Sequence, residues 1–246
     1  MRDDLPRLTV GQGPPLVVLL FTPQAATPAG LARWSAMRML RPFAERFTVH
    51  LLNRPPGLAH DTTMADLAAL YAGGFEGPAR VLGLSTGGSL AQQLAADRPD
   101  LVERLVLAGT ASTLGPIGRR AQRAYIERAR QGRRPSPALA GLLTPSPLAR
   151  AFLSGLLWLS DGGADHADAA TMLNAEDGFD LSGRLADIKA PTLLIHGEKD
   201  VVYPLELARR TAAGIPGARL TVYRGRSHSA TFTDRRFAPD ALAFLT

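Results

Sequence analysis

Apolar residues follow two alternating patterns along the chain, short continuous runs and longer segments with helical spacing. The runs are rich in branched side chains and bounded by turn residues, which is typical of buried strands. They cover residues 16–21, 47–52, 80–84, 102–107, 190–195 and 219–223. Segments with helical spacing lie between the first four runs, at residues 31–45, 64–71 and 89–97. This alternation predicts βαβ units and therefore an α/β fold with a mostly parallel, doubly wound sheet.

The alternation stops between residues 111 and 188. That stretch contains helical spacing at 121–130, 148–159 and 164–175, many prolines and glycines, and no strand-like run. Strand and helix patterns return afterwards, with helices predicted at 206–213 and 237–245. We therefore predict a core of residues 1–110 and 189–246, with residues 111–188 inserted as a helical domain.

The strongest local motif is Gly83-Leu84-Ser85-Thr86-Gly87, which lies between a predicted strand and a predicted helix. This context is the one that a nucleophile elbow requires, a sharp turn that lifts a serine hydroxyl above the sheet. A glycine two residues either side of the serine lets the backbone pass at close range. A glycine-rich turn with a passive serine is the alternative interpretation of the same five residues.

A serine hydroxyl is a weak nucleophile and needs a base. His228 lies in the loop after the last predicted strand, where it can reach over the carboxyl edge of the sheet; the other four histidines have structural interpretations. An orienting carboxylate is available from Asp200, in the loop after the preceding strand, whereas Glu198 is nearer the strand end and is expected to shape the turn. The chain order serine, aspartate, histidine is that of one known triad topology.

With these motifs in this order, the sequence resembles the α/β-hydrolase fold superfamily over nearly its whole length. The segments that carry the resemblance are residues 13–20, the serine elbow, 104–109, 190–200 and 225–228. The resemblance implies a helical cap over the active site, Ser85 as nucleophile, His228 as general base and acid, and Asp200 as the orienting acid. It also implies Thr86 as the first oxyanion donor, through its backbone N–H, and no cofactor or metal.

The chain departs from the family pattern after the first core strand. Where the family usually has His-Gly and then a residue whose N–H faces the oxyanion, this chain has Phe21-Thr22-Pro23-Gln24. Pro23 would occupy the donor position, and proline has no N–H. We expect the second donor to be the Thr22 amide or hydroxyl, within about 3 Å of the oxyanion, or the Gln24 amide.

Candidate pocket residues come from two places. Phe21 precedes this departure, and Phe152, Leu156 and Trp158 form an apolar cluster on the predicted helix 148–159. These side chains are candidates for lining a hydrophobic substrate pocket. Packing of the inserted domain onto the core is the alternative for the same cluster.

The net charge of +6 is concentrated in one segment. Residues 119–134 contain seven arginines and one acid, Glu127, so the rest of the chain is neutral on balance. A single basic patch is not the signature of a nucleic-acid-binding protein. It is either a solvated helix face or a surface that attracts an anionic or carrier-bound substrate.

Composition excludes several classes of protein. The chain is 46% hydrophobic and 20% charged, which is an ordinary globular balance. It has no cysteine, which excludes a disulfide framework, a thiolate zinc site and a cysteine nucleophile. The N-terminus lacks the apolar region of a secretory signal, and no run approaches the ~20 apolar residues of a membrane span. We therefore expect a cytoplasmic location.

These observations lead to one hypothesis and two alternatives. The hypothesis is a cofactor-independent serine hydrolase that cleaves an ester, thioester or related acyl bond of a small hydrophobic substrate through an acyl-enzyme. The elbow is also similar to cofactor-free perhydrolases, and lyase and cyclase chemistry occur on the same scaffold, so a non-hydrolytic enzyme is the first alternative. A catalytically silent ligand-binding protein is the second. The sequence names neither the substrate nor the oligomeric state.

Overall fold

A single sheet organises the computed structural model, which describes residues 5–22, 30–143, 146–161 and 166–246. Within these residues seven strands lie in the order β1-β3-β2-β4-β5-β6-β7. They are β1 Arg7–Val10, β2 Pro15–Leu20, β3 Thr48–Leu52, β4 Ala79–Leu84, β5 Val102–Ala108, β6 Thr192–Gly197 and β7 Arg219–Tyr223. Neighbouring strands are parallel except β1 and β3, which are antiparallel.

The helices connect these strands or follow them. They are α1 Gly30–Ala44, α2 Met64–Gly73, α3 Thr86–Asp97, α4 Pro116–Arg130, α5 Ala140–Leu143, α6 Pro147–Ser160, α7 Ala167–Asp177, α8 Leu205–Gly214, α9 His228–Phe232 and α10 Phe237–Leu245. Short 3-10 turns occur at Pro99–Leu101, Ser136–Leu139 and Ser182–Asp187. No helix within the described part of the chain is long and apolar enough to cross a bilayer.

Both faces of the sheet are covered by helices. Val17 of β2 packs in a cluster that includes Leu67 of α2 and Leu90 of α3. Its neighbour Val18 faces the opposite side, in a cluster that includes Leu40 of α1 and residues of α10. Successive strand residues point to opposite faces, so an apolar strand buried on both sides reads as a continuous run. The predicted doubly wound α/β class is confirmed.

Several short elements differ from the sequence prediction, including β1 and α9. The edge strand β1 was not predicted, and it has only one fully buried side chain, Leu8, so its apolar signal is weak. The segment expected to be a loop after β7 contains α9, whose first residue is His228. Five residues are too few to show helical periodicity.

The chain between β5 and β6 forms the insertion, defined here as residues 111–188. Its described residues are helical or irregular, apart from an isolated bridge between Thr113 and Asp180. Helices α4 and α7 pack together, and α7 also contacts α2 and α3 of the core. Helix α6 packs against α5 and the 3-10 turn at Ser136–Leu139, and none of its side chains is fully buried. The division into two domains stays a prediction.

Candidate active site

The turn between β4 and α3 holds Ser85 in a strained backbone conformation. Ser85 has φ 53° and ψ −125°, and among the described residues it is the one non-glycine residue with positive φ. Such a conformation persists only where the surrounding structure holds it. Here the Ser85 N–H donates to the Ala108 carbonyl at 3.0 Å. A Cβ on Gly87 would lie 2.1 Å from the Leu19 carbonyl oxygen, so only glycine fits behind the serine.

Three distant residues meet in one hydrogen-bonded chain at the carboxyl edge of the sheet. The Ser85 Oγ lies 2.9 Å from His228 Nε2, and His228 Nδ1 lies 2.8 Å from Asp200 Oδ2. Both distances are those of good hydrogen bonds. Because the carboxylate can only accept, it holds the proton on Nδ1 and leaves Nε2 to accept from the serine hydroxyl.

The carboxylate and the imidazole are each held from several sides. Asp200 Oδ1 accepts the backbone N–H groups of Val202 at 2.8 Å and of Tyr203 at 3.0 Å. The Tyr203 ring stacks on His228 with centroids 5.9 Å apart, and Phe232 meets the imidazole edge-on at 5.3 Å. The sequence analysis did not identify Tyr203. Its position three residues after Asp200, in the same loop, was the available signal.

His196, at the end of β6, is a second histidine beside Asp200. Its Nε2 lies 2.8 Å from the Tyr203 carbonyl and 3.7 Å from Asp200 Oδ2. Burial lowers the pKa of His196, against smaller opposing effects of Asp200 and the Tyr203 carbonyl. The ring is therefore neutral, and its Nε2 donates a hydrogen bond to the backbone carbonyl of Tyr203. Glu198 accepts the Gly225 N–H at 2.7 Å and so joins the turns after β6 and β7.

The other three histidines have their described partners elsewhere. His50 Nδ1 lies 3.1 Å from Thr9 Oγ1 between two strands. His60 Nε2 lies 3.2 Å from the Arg130 guanidinium, and His166 Nδ1 lies 2.8 Å from the Tyr125 hydroxyl.

The expected oxyanion donors have different surroundings. Thr86 is the first residue of α3, so its amide lies at a helix N-terminus, where negative charge is favoured. The Thr22 amide instead donates to Asn53 Oδ1 at 3.2 Å, and Thr22 Oγ1 accepts from Asn53 Nδ2 at 2.6 Å. The Thr22 amide is therefore already hydrogen-bonded to Asn53 in this structure, and its role as an oxyanion donor stays a prediction. Pro23 and Gln24 lie outside the described residues.

Asn53 and Arg54, which pair with Thr22, directly follow β3 and were not among the residues predicted from the sequence. Both side chains are buried, and the Arg54 guanidinium donates to the Thr22 carbonyl. Buried polar residues at the carboxyl end of a parallel strand were the signal that could have identified them. They hold the chain at the point where β2 leaves the sheet.

A cavity of about 550 Å³ lies beside the insertion, with basic residues around it. Its lining includes His60, Arg130, Arg133 and Arg134, but neither Ser85 nor His228. The lining also includes Asp161, whose side chain is fully buried and whose Oδ1 lies 3.5 Å from Nε2 of His166. Neither side chain of the serine–histidine hydrogen bond therefore lines this cavity.

The candidate pocket residues of α6 are not part of this cavity. Phe152 is 74% exposed, Leu156 54% and Trp158 49%. The Arg134 guanidinium lies over the Trp158 ring, 3.7 Å from its centroid. The exposure of these three side chains does not fit their packing on the core, and their place in a substrate pocket stays a prediction. Phe21 is half-buried and packs against the cluster that contains Tyr125.

Five of the seven arginines in residues 119–134 fall into two groups. Arg119 and Arg123 pair with Asp177, and Arg119 also donates to the Leu114 carbonyl, so these two side chains join parts of the insertion. The arginines at 130, 133 and 134 line the cavity instead. Among the described residues, no group of three or more His, Asp or Glu side chains is placed to hold a metal ion.

Two curated proteins are similar to this chain over much of its length. A pimeloyl-[acyl-carrier protein] methyl ester esterase of Chromobacterium violaceum is 32% identical over 238 residues, which cover 90% of this chain and 89% of that protein. The polyketide synthase ThaQ of Burkholderia thailandensis is 31% identical over 209 residues, which cover 77% of this chain. The match spans only 10% of that synthase.

A solved structure and a family model both match this chain. A hydrolase from Pseudomonas aeruginosa superimposes with a TM-score of 0.78 and 28% identity, over 97% of this chain and 93% of that one. The model of the Alpha/beta hydrolase family matches residues 25–241. Most of the chain is covered by this match, and the strained serine turn lies within it. The chain belongs to the alpha/beta hydrolase family.

Proposed function

We propose that this protein is a serine hydrolase that cleaves an ester, thioester or related acyl bond of a small hydrophobic substrate. The observation that carries the proposal is the chain from Ser85 Oγ through His228 to Asp200, with hydrogen bonds of 2.9 and 2.8 Å. A curated relative that matches 90% of this chain is named as an esterase, which supports the same reaction class.

The geometry supports an acyl-enzyme mechanism. His228 Nε2 takes the Ser85 proton as Oγ attacks the substrate carbonyl carbon, and Asp200 stabilises the imidazolium that forms. The tetrahedral oxyanion accepts from the Thr86 N–H. As the intermediate collapses, His228 gives the proton to the leaving group. A water molecule then attacks the acyl-enzyme with His228 as base, and the carboxylic acid is released.

We propose the Thr22 hydroxyl as the second oxyanion donor. Its oxygen accepts from Asn53 Nδ2, and a hydroxyl group can accept and donate together. Thr22→Ser keeps the hydroxyl and Thr22→Val replaces it by a methyl group of similar shape. If the hydroxyl donates, kcat falls about 10²-fold in Thr22→Val and changes little in Thr22→Ser. Equal kcat values in both variants would assign the donor elsewhere.

An anionic or carrier-bound acyl compound is the proposed substrate class. The basic cavity beside the insertion supports it, because Arg130, Arg133 and Arg134 bring positive charge to one opening. The name of one curated relative, a pimeloyl-[acyl-carrier protein] methyl ester esterase, is consistent with it.

A fluorophosphonate probe and a substrate panel test the reaction class together. The probe should label the wild-type protein at Ser85 and leave Ser85→Ala unlabelled. Nitrophenyl esters and acyl thioesters should release free acid with the wild type alone. Labelling without acid release would favour a non-hydrolytic enzyme on this scaffold. Absence of labelling would favour a ligand-binding protein without catalysis.

A further inference from the structure

A carboxylate from the insertion is buried directly behind the nucleophile elbow. Glu176, near the end of α7, has no solvent exposure. Its Oε2 accepts from Thr86 Oγ1 at 2.8 Å and from Gln122 Nε2 at 2.5 Å. Its Oε1 accepts from Ser89 Oγ at 2.7 Å and from the Tyr203 hydroxyl. Four neutral donors from α3, α4 and the loop before α8 therefore converge on one side chain.

This arrangement suits an ionised carboxylate. A carboxylate accepts about four hydrogen bonds and donates none, and a buried one is tolerated only where its acceptor sites are filled. Burial and the nearby charge of Glu176 raise the pKa of Tyr203 well above its usual value, so the Tyr203 hydroxyl keeps its proton and donates it. The network therefore has one defined arrangement of protons at each contact.

Two of the donors to Glu176 are next to proposed catalytic residues, one beside Ser85 and the other beside His228. Thr86 follows Ser85 directly and supplies the amide proposed to bind the oxyanion. Tyr203 stacks on His228 and gives its own amide to Asp200. A movement of Glu176 would therefore disturb the nucleophile side and the base side together.

We infer that Glu176 is a positioning residue, which aligns Ser85 and His228 through its hydrogen bonds to Thr86 and Tyr203. The inference rests on the proposed serine mechanism. Because Glu176 belongs to the insertion and Thr86 to the core, full reactivity of Ser85 then requires that the insertion stays packed against the core. A purely structural role would affect the stability of the protein and leave the reactivity of the folded molecules unchanged.

The reaction of Ser85 with a fluorophosphonate probe separates the two roles. The second-order labelling rate of folded protein should fall about tenfold in Glu176→Gln, because small displacements of reacting groups are costly. With p-nitrophenyl acetate, kcat should fall by a similar factor while KM stays within about twofold. Thermal unfolding, followed by circular dichroism, gives the folded fraction.

Single-donor variants keep the test informative if Glu176→Gln does not fold. Thr86→Val retains the proposed oxyanion amide, and Tyr203→Phe retains the stacked ring, and each loses one hydrogen bond to Glu176. Each should slow labelling by a smaller factor, about threefold. The double variant of Glu176→Gln and Tyr203→Phe should label about as slowly as Glu176→Gln alone, because contacting residues are not additive.

Asp177→Asn is the matched control, since Asp177 is the next residue on α7 and pairs only with arginines of the insertion among its described ion-pair partners. It should label at the wild-type rate. Wild-type labelling rates in folded Glu176→Gln, Thr86→Val and Tyr203→Phe would overturn the inference. A wild-type protein that the probe does not modify at Ser85 would overturn the proposed function instead.

Discussion

The nucleophile elbow is held by the core on one side and by the insertion on the other, and the two sides use different contacts. On the core side, backbone packs against backbone, with no room for a Cβ on Gly87. On the insertion side, the Glu176 carboxylate accepts hydrogen bonds from Thr86 of α3 and from Gln122 of α4. Backbone packing permits no added atom, whereas side-chain contacts can change one residue at a time. We therefore expect the core to determine which reaction takes place and the insertion to change its rate.

Removal of a group on the core side should have the largest effect on turnover. His228→Ala and Ser85→Ala should each lower kcat by about 10⁴-fold or more, because the triad acts as a unit. Steady-state hydrolysis of a nitrophenyl ester measures the loss, with circular dichroism to check the fold. His50→Ala, on the far strand β3, is the control and should keep wild-type turnover. Wild-type kcat in His228→Ala would refute the triad assignment.

Two glycine substitutions compare the rigidity of the two regions directly. Gly87→Ala places a Cβ 2.1 Å from the Leu19 carbonyl and should lower the free energy of unfolding by about 1–3 kcal/mol or more. Gly155→Ala, in the middle of α6, meets nothing within 4 Å and should raise it by about 0.5–1 kcal/mol. Urea unfolding measures both. Equal destabilisation by the two would contradict the contrast between core and insertion.

A pH dependence of stability should arise from His196 in the core. Because burial lowers its pKa in the folded state, the unfolded chain binds the proton first as the pH falls. The contribution of the neutral His196 ring to the free energy of unfolding is complete above the unfolded pKa of about 6.5 and decreases as the pH falls below it. His196→Asn does not titrate and should show a shallower loss of thermal stability between pH 7.5 and 5. Identical slopes in both proteins would exclude His196 as a source.

The smallest expected effect comes from the surface of the insertion. Replacing Arg130 and Arg133 by Gln should raise KM for an anionic acyl substrate about threefold at low salt and leave kcat unchanged, since exposed charges contribute little and are screened. The difference should vanish at high salt. Arg98→Gln, paired with Asp100 away from the cavity, is the control. A KM that is unchanged at every ionic strength would identify these arginines as a solvated surface.

Local patterns in the sequence were sufficient for most of the core. Strands buried on both faces appear as continuous apolar runs, as in β2 and β4, and the positions of α2, α8 and α10 follow from helical spacing. The elbow could be predicted because its glycines and its strand–helix context lie within a few residues. Helix α6 shows the limit, since its apolar residues predicted burial and the structure exposes Phe152.

What the sequence determined by itself was the α/β class, the elbow and the order of Ser85, Asp200 and His228 along the chain. Which polar side chains meet was decided only by the tertiary structure. Thr22 pairs with Asn53, 31 residues away, and Thr86 with Glu176, 90 residues away. No local pattern records such partners, because a buried hydrogen bond depends on the distance between two atoms in space and not on their separation in the chain.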